Sequence, residues 1–239
     1  MPYRLLARLF HVFGDAIVLK GGLVLELRLE RARTTKDIDL RMVGKPALVL
    51  ERLQEAGRTA LGDQLTFEVR SDPRHPIIEA EGLTYQGLRF KAQAWMAGQV
   101  YGAPFGIDIA FAEPLVAPPE LMEGGSFLAF AGIEPTIYRV YALETHIAEK
   151  LHAYTLPRER PNTRVKDLPD IALLATARDM DAATLRDAIA HTFRHRATHP
   201  VPRTVPEPPS AWASAYERMA AKDRLPWPTL AEVTEAAQA

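Results

Sequence analysis

Cysteine is absent from the 239-residue sequence. That excludes disulfide staples, thiolate metal sites and cysteine nucleophiles, and it suits a reducing compartment. Long apolar runs are missing too, with no stretch approaching the roughly 20 residues that a membrane span needs. The opening M-P-Y-R-L-L-A-R-L-F-H-V-F carries charges inside an amphipathic pattern and lacks a leader-like apolar core or small-residue cleavage site. A soluble, cytoplasmic protein is expected. Neither sign of charge dominates. With 29 basic and 30 acidic residues the formal net charge is −1, so any nucleic-acid surface must be local. Several catalytic signatures are also lacking: G-x-S-x-G, H-E-x-x-H, a phosphate-loop lysine followed by Ser or Thr, the kinase catalytic loop and the dinucleotide G-x-G-x-x-G. What remains is a chain with 47% hydrophobic residues, enough to bury a core in one or two domains.

Hydrophobic periodicity divides the chain. Leu5, Leu6, Leu9, Phe10 and Phe13 follow helical spacing up to Gly14. Ala16 to Leu19 reads as a short buried strand ending at Lys20, followed by a helix to about Leu29 and then by a strand carrying Asp37 and Asp39. Pro46 opens a second amphipathic helix with Leu48, Leu50 and Leu53, closed near Gly57. The period then switches to two, predicting strands at 65–69, 83–90, 92–96 and 105–111. From Leu143 onward helices return: Leu143, Ile147, Leu151 and Tyr154 form one stripe, and further helices are expected from Lys166 to Ala177 and from an Asp181 N-cap to Arg194. His199 to Pro209 is a proline-rich extended connector, followed by a short helix from Ser210 and a polar tail. The expected fold is α+β, a mixed sheet flanked by helices over 1–141, then a helical domain over 142–198, then the connector and C-terminal helix over 199–239. A cleft between the α/β and helical parts is the natural ligand site.

The stretch from Lys20 to Leu40 carries the chemistry. Gly21-Gly22 precedes a helix, where free backbone N–H groups and the helix dipole favour an anion. Asp37 and Asp39 stand two apart, so in a strand their carboxylates leave on one face while Ile38 and Leu40 enter a core. Adjacent carboxylates repel unless a cation lies between them, and paired oxygens hold Mg²⁺ against a triphosphate. Asp108 repeats the arrangement, on a strand whose other face is Phe105, Ile107, Ile109 and Phe111. It either completes a metal cluster or caps a local hydrogen-bond network. Two metal ions across such acids can activate a hydroxyl and neutralise a pyrophosphate leaving group, so the pattern reads as nucleotidyl transfer.

The helical half offers two basic constellations. Lys150 lies on the apolar stripe and either snorkels to water or faces the cleft and holds an anion. Arg158, Arg160, Arg164 and Lys166 crowd around Asp167 and Asp170, either as a charged helix start or with Asp167 bracing Lys150 or Arg164 toward phosphate oxygens. His191, Arg194, His195, Arg196, His199 and Arg203 can complement a helix dipole or grip an RNA backbone. Their spacing does not suit a metal.

Four segments in order, L-K-G-G-L-V-L, R-T-T-K-D-I-D-L, E-T-H-I-A-E-K-L-H-A and R-V-K-D-L-P-D-I, resemble the AbiEii/AbiGii-type toxins, MenT-like nucleotidyltransferases of the DNA polymerase β-like superfamily. The likeness spans about Leu5 to Ala177. It implies a minimal nucleotidyltransferase sheet with a helical domain, transfer of a nucleotide from an NTP with Mg²⁺ to RNA such as the tRNA 3′ end, and a cognate antitoxin partner. Position by position it implies that Gly21 and Gly22 (with Lys20) bind nucleotide and that Asp37 and Asp39 hold metal. Lys150 would engage the triphosphate, Asp167 would be the acid of the K-D-x-x-D element beside Arg164, and Arg33 and Thr35 would be the basic and hydroxyl positions ahead of the acids. One departure stands out: the superfamily's Gly-Ser becomes Gly22-Leu23, so a phosphate-binding hydroxyl is missing. Transfer to a protein or small molecule, and a silent nucleotide-binding module, remain as other readings of the residues.

Overall fold

The computed structural model describes residues 1–29, 35–78, 87–111, 115–158 and 162–239. Helix α1 (Pro2–Phe13) starts on a proline and stops at Gly14, whose φ of 52° suits glycine. Strand β1 (Ile17–Lys20) runs into Gly21 and helix α2 (Gly22–Arg28). Strand β2 (Ile38–Met42) follows, then α3 (Val49–Arg58). Helix α3 begins three residues after Pro46; Leu48 adopts φ 68° and stays exposed, while Val49, Leu53 and Ala56 form the buried face. Strand β3 (Leu65–Ser71) alternates as its sequence predicts. The expected strands at 83–90 and 92–96 are one strand, β4 (Gly87–Met96), with the pairing shifted between Ala92 and Ala94; residues 83–86 lie outside the described residues. A tight turn joins it to β5 (Gln99–Phe111). Two further strands, β6 (Glu120–Glu123) and β7 (Ile137–Val140), carry no sequence periodicity long enough to announce them.

These strands make one seven-stranded sheet in the order β3-β4-β5-β2-β1-β7-β6. The central pairing β2–β5 is parallel and β1–β2 antiparallel, so the sheet is mixed. Its apolar face packs under α1 and α3 in a core that includes Leu5, Leu9, Leu40, Leu53, Phe67 and Ile107.

The helical half comprises α4 (Leu143–Thr155), α5 (Asp167–Ala175), α6 (Ala182–Arg196), α7 (Ala213–Asp223) and α8 (Leu230–Gln238). Asp181 caps α6 by accepting from the Thr184 amide at 2.7 Å. The expected polar tail is instead α8, started by a Thr229–Glu232 capping box and anchored by fully buried Val233. The connector is tied to the helices by Val205, which packs on their core, and by Tyr154 Oη donating to the Pro206 carbonyl at 2.7 Å. Helix α2 serves both halves. Leu23 and Val24 enter the sheet's core, whereas Leu25 joins the helical core with Leu143, Leu151 and Leu168. Arg28, at its end, donates to the Tyr141 carbonyl and pairs with Glu120 at 2.8 Å. Glu120 in turn accepts from the Leu143 amide and meets Arg178, which also reaches Glu144. No described helix is long and apolar enough to cross a membrane.

Two buried polar groups make the fold testable. Arg8, with no exposed surface, donates to both Asp63 oxygens and to the carbonyls of Arg4, Thr59 and Leu65. Burial pushes the Asp63 carboxyl up, but hydrogen bonds from Arg8 and Arg4 win and hold it well below the usual carboxylate range. Asp63→Leu strands the guanidinium, and the expected loss is about 3–5 kcal/mol in denaturant unfolding. His146 on α4 is 2% exposed, and neither ring nitrogen has a partner among the described residues. Burial, with Lys150 nearby, pushes its pKa down to about 3. The folded chain therefore resists protonation where the unfolded chain accepts it. Stability should fall as pH drops from about 6.5 toward 3, with His146 alone giving about 1.4 kcal/mol per pH unit. Unfolding titrations of wild type and His146→Gln between pH 7 and 5 check it: the variant should show the shallower slope.

Candidate functional site

Strand register lines up four charges across the polar face of the sheet. Lys20 on β1 is opposite Asp39 on β2, Asp39 is beside Asp108 on β5, and Asp108 is opposite Arg89 on β4. The row runs cation, anion, anion, cation. Ile38 and Leu40 are fully buried on the opposite face, which fixes the direction of Asp39. Asp39 is half-buried, and its carboxyl is pushed up to about 6, first by burial and then by Asp108, with Lys20 and Lys150 pulling the other way and Asp37 adding repulsion.

Gly21 and Gly22 leave room for the acids. Gly21 has φ 70°, and a side chain on it would collide with the Asp39 carboxylate. A Cβ on Gly22 would approach the Thr35 methyl to 2.9 Å. Helix α2 has only seven residues, so its dipole is short, and the glycines matter first for this close approach. Thr35 is held by its amide, which donates to Glu26. Asp37 lies just ahead of β2 rather than within it, exposed, with one oxygen accepting from the Gly106 amide at 2.9 Å. A side chain at Gly106 would displace it. Arg33 lies outside the described residues.

Lys150 reaches the same cavity from α4. Its Nζ donates to Asp170 at 2.6 Å and to Asp167 at 3.2 Å, and Arg164 pairs with the other Asp167 oxygen. Both aspartates are buried at the start of α5, so Lys150 is clamped rather than snorkelling. The cavity between the sheet's polar face and α4 has a volume of about 660 Å³, inside the roughly 300–1,000 Å³ range of small-molecule sites. It brings together Lys20, Gly21, Gly22, Thr35, Asp37, Asp39, Asp108, Lys150, Arg164 and Asp167. Its far wall is basic, formed by Arg158, Lys166 and Arg196, the last paired with Glu149 at 2.6 Å. His195, Arg194, His191 and Arg203 do not line it.

Among the described residues no three His, Asp or Glu side chains are disposed as a ready metal nest. Three carboxylate oxygens are already engaged: Asp37 gives one to the Gly106 amide, and Asp108 gives both to Arg89. The donor chemistry nonetheless fits a hard divalent cation. Three carboxylates converge on one cavity, and the raised Asp39 marks a place short of positive charge. Arg89 escapes sequence reasoning. Alternation puts it on the polar face of β4, but the register that sets it against Asp108 comes from the β4–β5 hairpin and its bulge. His146 and Tyr141, whose ring carries the Lys20 ammonium at 5.5 Å, were equally hidden inside apolar stretches.

Comparison with known proteins places this geometry. No protein of curated function matches the chain significantly. Among solved structures, MenT4, a nucleotidyltransferase toxin from Mycobacterium tuberculosis H37Rv, is similar with a TM-score of 0.59 at 20% identity, covering 98% of this chain and 84% of its own. A putative nucleotidyltransferase from Helicobacter pylori gives 0.52 at 16% identity, covering 98% and 87%. JHP933 from Helicobacter pylori gives 0.50 at 17%, covering 81% and 77%. These likenesses show the fold. The sequence itself matches the family described as "Nucleotidyl transferase AbiEii toxin, Type IV TA system" over residues 4–236. With nearly its whole length matched, the chain belongs to the AbiEii family of nucleotidyltransferase toxins.

Proposed function

We propose that this chain transfers a nucleotide from an NTP to RNA, at the 3′ end of tRNA, with Mg²⁺, in the cytoplasm and under the control of a cognate antitoxin. The observation that carries the reading is the Asp39–Asp108 pair, set side by side between Lys20 and Arg89 and faced by Lys150 across one cavity. Asp37 and Asp39 hold the cation, and Asp108 completes its shell. Bound there, a divalent ion supplies charge neutralisation for the pyrophosphate and lowers the pKa of the attacking hydroxyl. That hydroxyl attacks the α-phosphorus, and the bond to the bridging oxygen of the pyrophosphate breaks in line.

The protein's own part is binding and orientation. Lys20, Lys150 and, from its place ahead of β2, Thr35 surround the triphosphate, with the Gly21-Gly22 backbone approaching it closely because no side chain intervenes. Asp167 and Asp170 clamp Lys150, so its ammonium is aimed before substrate arrives, and Arg164 is held at the same carboxylate. Arg33 joins the nucleotide contacts. The basic wall of Arg158, Lys166 and Arg196 supports a polyanionic acceptor, since phosphate contacts position a nucleic acid without reading it.

Two measurements test this. Asp39→Asn, nearly isosteric, should reduce NTP-dependent labelling of acceptor to background while leaving the thermal unfolding transition in place; retained transfer refutes the metal assignment. Incubation with each labelled NTP, Mg²⁺ and total RNA should give label that ribonuclease removes and protease does not. Label removed by protease instead would make the acceptor a protein.

A further inference from the structure

The cation–anion–anion–cation row has a consequence for how the acid cluster fills. Asp108 stands between two claims. On one side is Asp39, its register neighbour, with which it would have to share a cation. On the other is Arg89, whose Nε donates to one Asp108 oxygen and whose terminal nitrogen donates to the other, each at 2.7 Å. A fork of this kind uses the carboxylate's outer lone pairs together. An ion bridging Asp39 to Asp108 must take at least one of those oxygens and sit beside a guanidinium, where like charges repel. With Arg89 in place both Asp108 oxygens already accept a bond and a positive charge lies alongside, so the cluster closes less favourably.

The pair is also built to open. Arg89 is 35% exposed and Asp108 25%, so water reaches this half-buried bridge and can solvate either group once the fork opens. Asp37 and Asp72 also act electrostatically on the guanidinium, which lies in the field of further carboxylates besides Asp108. Lys150, by contrast, is only 11% exposed and gripped by two buried aspartates. Of these two cations on the cavity, Arg89 is the one that can change partner at low cost.

We propose that Arg89 is an electrostatic latch on the acid cluster, occupying Asp108 until a polyphosphate draws the guanidinium away, so that a divalent cation binds strongly only together with nucleotide. Arg89 is then a positioning residue, acting through Asp108. The inference rests on the nucleotidyltransferase reading of the site, and it accords with the fork that engages both Asp108 oxygens.

Mn²⁺ binding to the full chain without nucleotide, followed by electron paramagnetic resonance of the free ion, tests it apart from activity. A site open only part of the time loses apparent affinity by that fraction, so releasing the latch in Arg89→Gln should tighten Mn²⁺ roughly tenfold. Arg89→Lys keeps the charge but loses the fork. It should also bind Mn²⁺ more tightly than wild type. Equal affinity in Arg89→Lys and wild type would overturn the latch, because charge alone would then account for the glutamine variant. Unchanged or weaker binding in Arg89→Gln would overturn it too; if that binding still disappears in Asp39→Asn, the metal reading of the acids survives. Absence of Mn²⁺ binding in all variants would overturn both. Thermal unfolding of each variant confirms that the sheet is intact.

Discussion

Two carboxylates stand shoulder to shoulder because the register of two parallel strands leaves them no alternative. Ile38, Leu40, Ile107 and Ile109 are all fully buried on the other face of β2 and β5, and a slip of β2 by one residue would expose two aliphatic side chains and put Asp39 in the core. The hydrophobic core thus enforces an electrostatic conflict on the opposite face. Burial first and Asp108 second push the Asp39 carboxyl up, and Lys20 and Arg89 flank the two acids. Around that row the glycines make sense: Gly21 and Gly106 are the positions where a side chain would press on Asp39 and Asp37.

The second half of the site depends on α2. One short helix contributes Leu23 and Val24 to one core and Leu25 to the other, and its last residue enters the Arg28–Glu120–Arg178–Glu144 network. That network is partly buried and crosses between β6, α2 and the start of α4, so it sets where α4 lies over the sheet. Lys150 then follows from the helix. It is one turn beyond His146, on the side of α4 that faces the acids, and Asp167 and Asp170 on α5 stop it from reaching for solvent. Lys20 and the acids come from the sheet and Lys150 from the helical half, and the cavity is the space between them.

Much of this was legible in the chain. Alternation gave the shared face of Asp39 and Asp108, since a period of two is unambiguous when every second residue is aliphatic, whereas Asp37 lies just ahead of the strand. Lys150 was recognisable as an oddity on an apolar stripe, although the stripe alone did not distinguish snorkelling from clamping; Asp170, buried with no exposed surface, decided it. What stayed hidden was pairing. Arg89 meets Asp108 only through the register of a hairpin bent by an irregularity between Ala92 and Ala94. Strands of four residues such as β6 and β7 are too short for a pattern, and they are strands because neighbours pair with them. Helix α8 hid behind a polar composition in which Val233 does most of the burying, and its capping box at Thr229–Glu232 was the signal to find it.

Near-zero net charge is compatible with a site for polyanions because the charges are sorted in space rather than in number. Lys20 and Arg89 flank the adjacent Asp39 and Asp108 along the floor of the cavity, and Arg158, Lys166 and Arg196 also line it. A Debye length of about 8 Å at physiological salt is comparable to the breadth of such a cavity, so each wall acts on what lies against it and little beyond. A triphosphate near Lys20 and Lys150 therefore feels a local field that the overall charge of −1 does not report. The clamped Lys150 and the loosely held Arg89 divide the work. One is fixed by two buried carboxylates, and the other forks a half-buried carboxylate that water reaches.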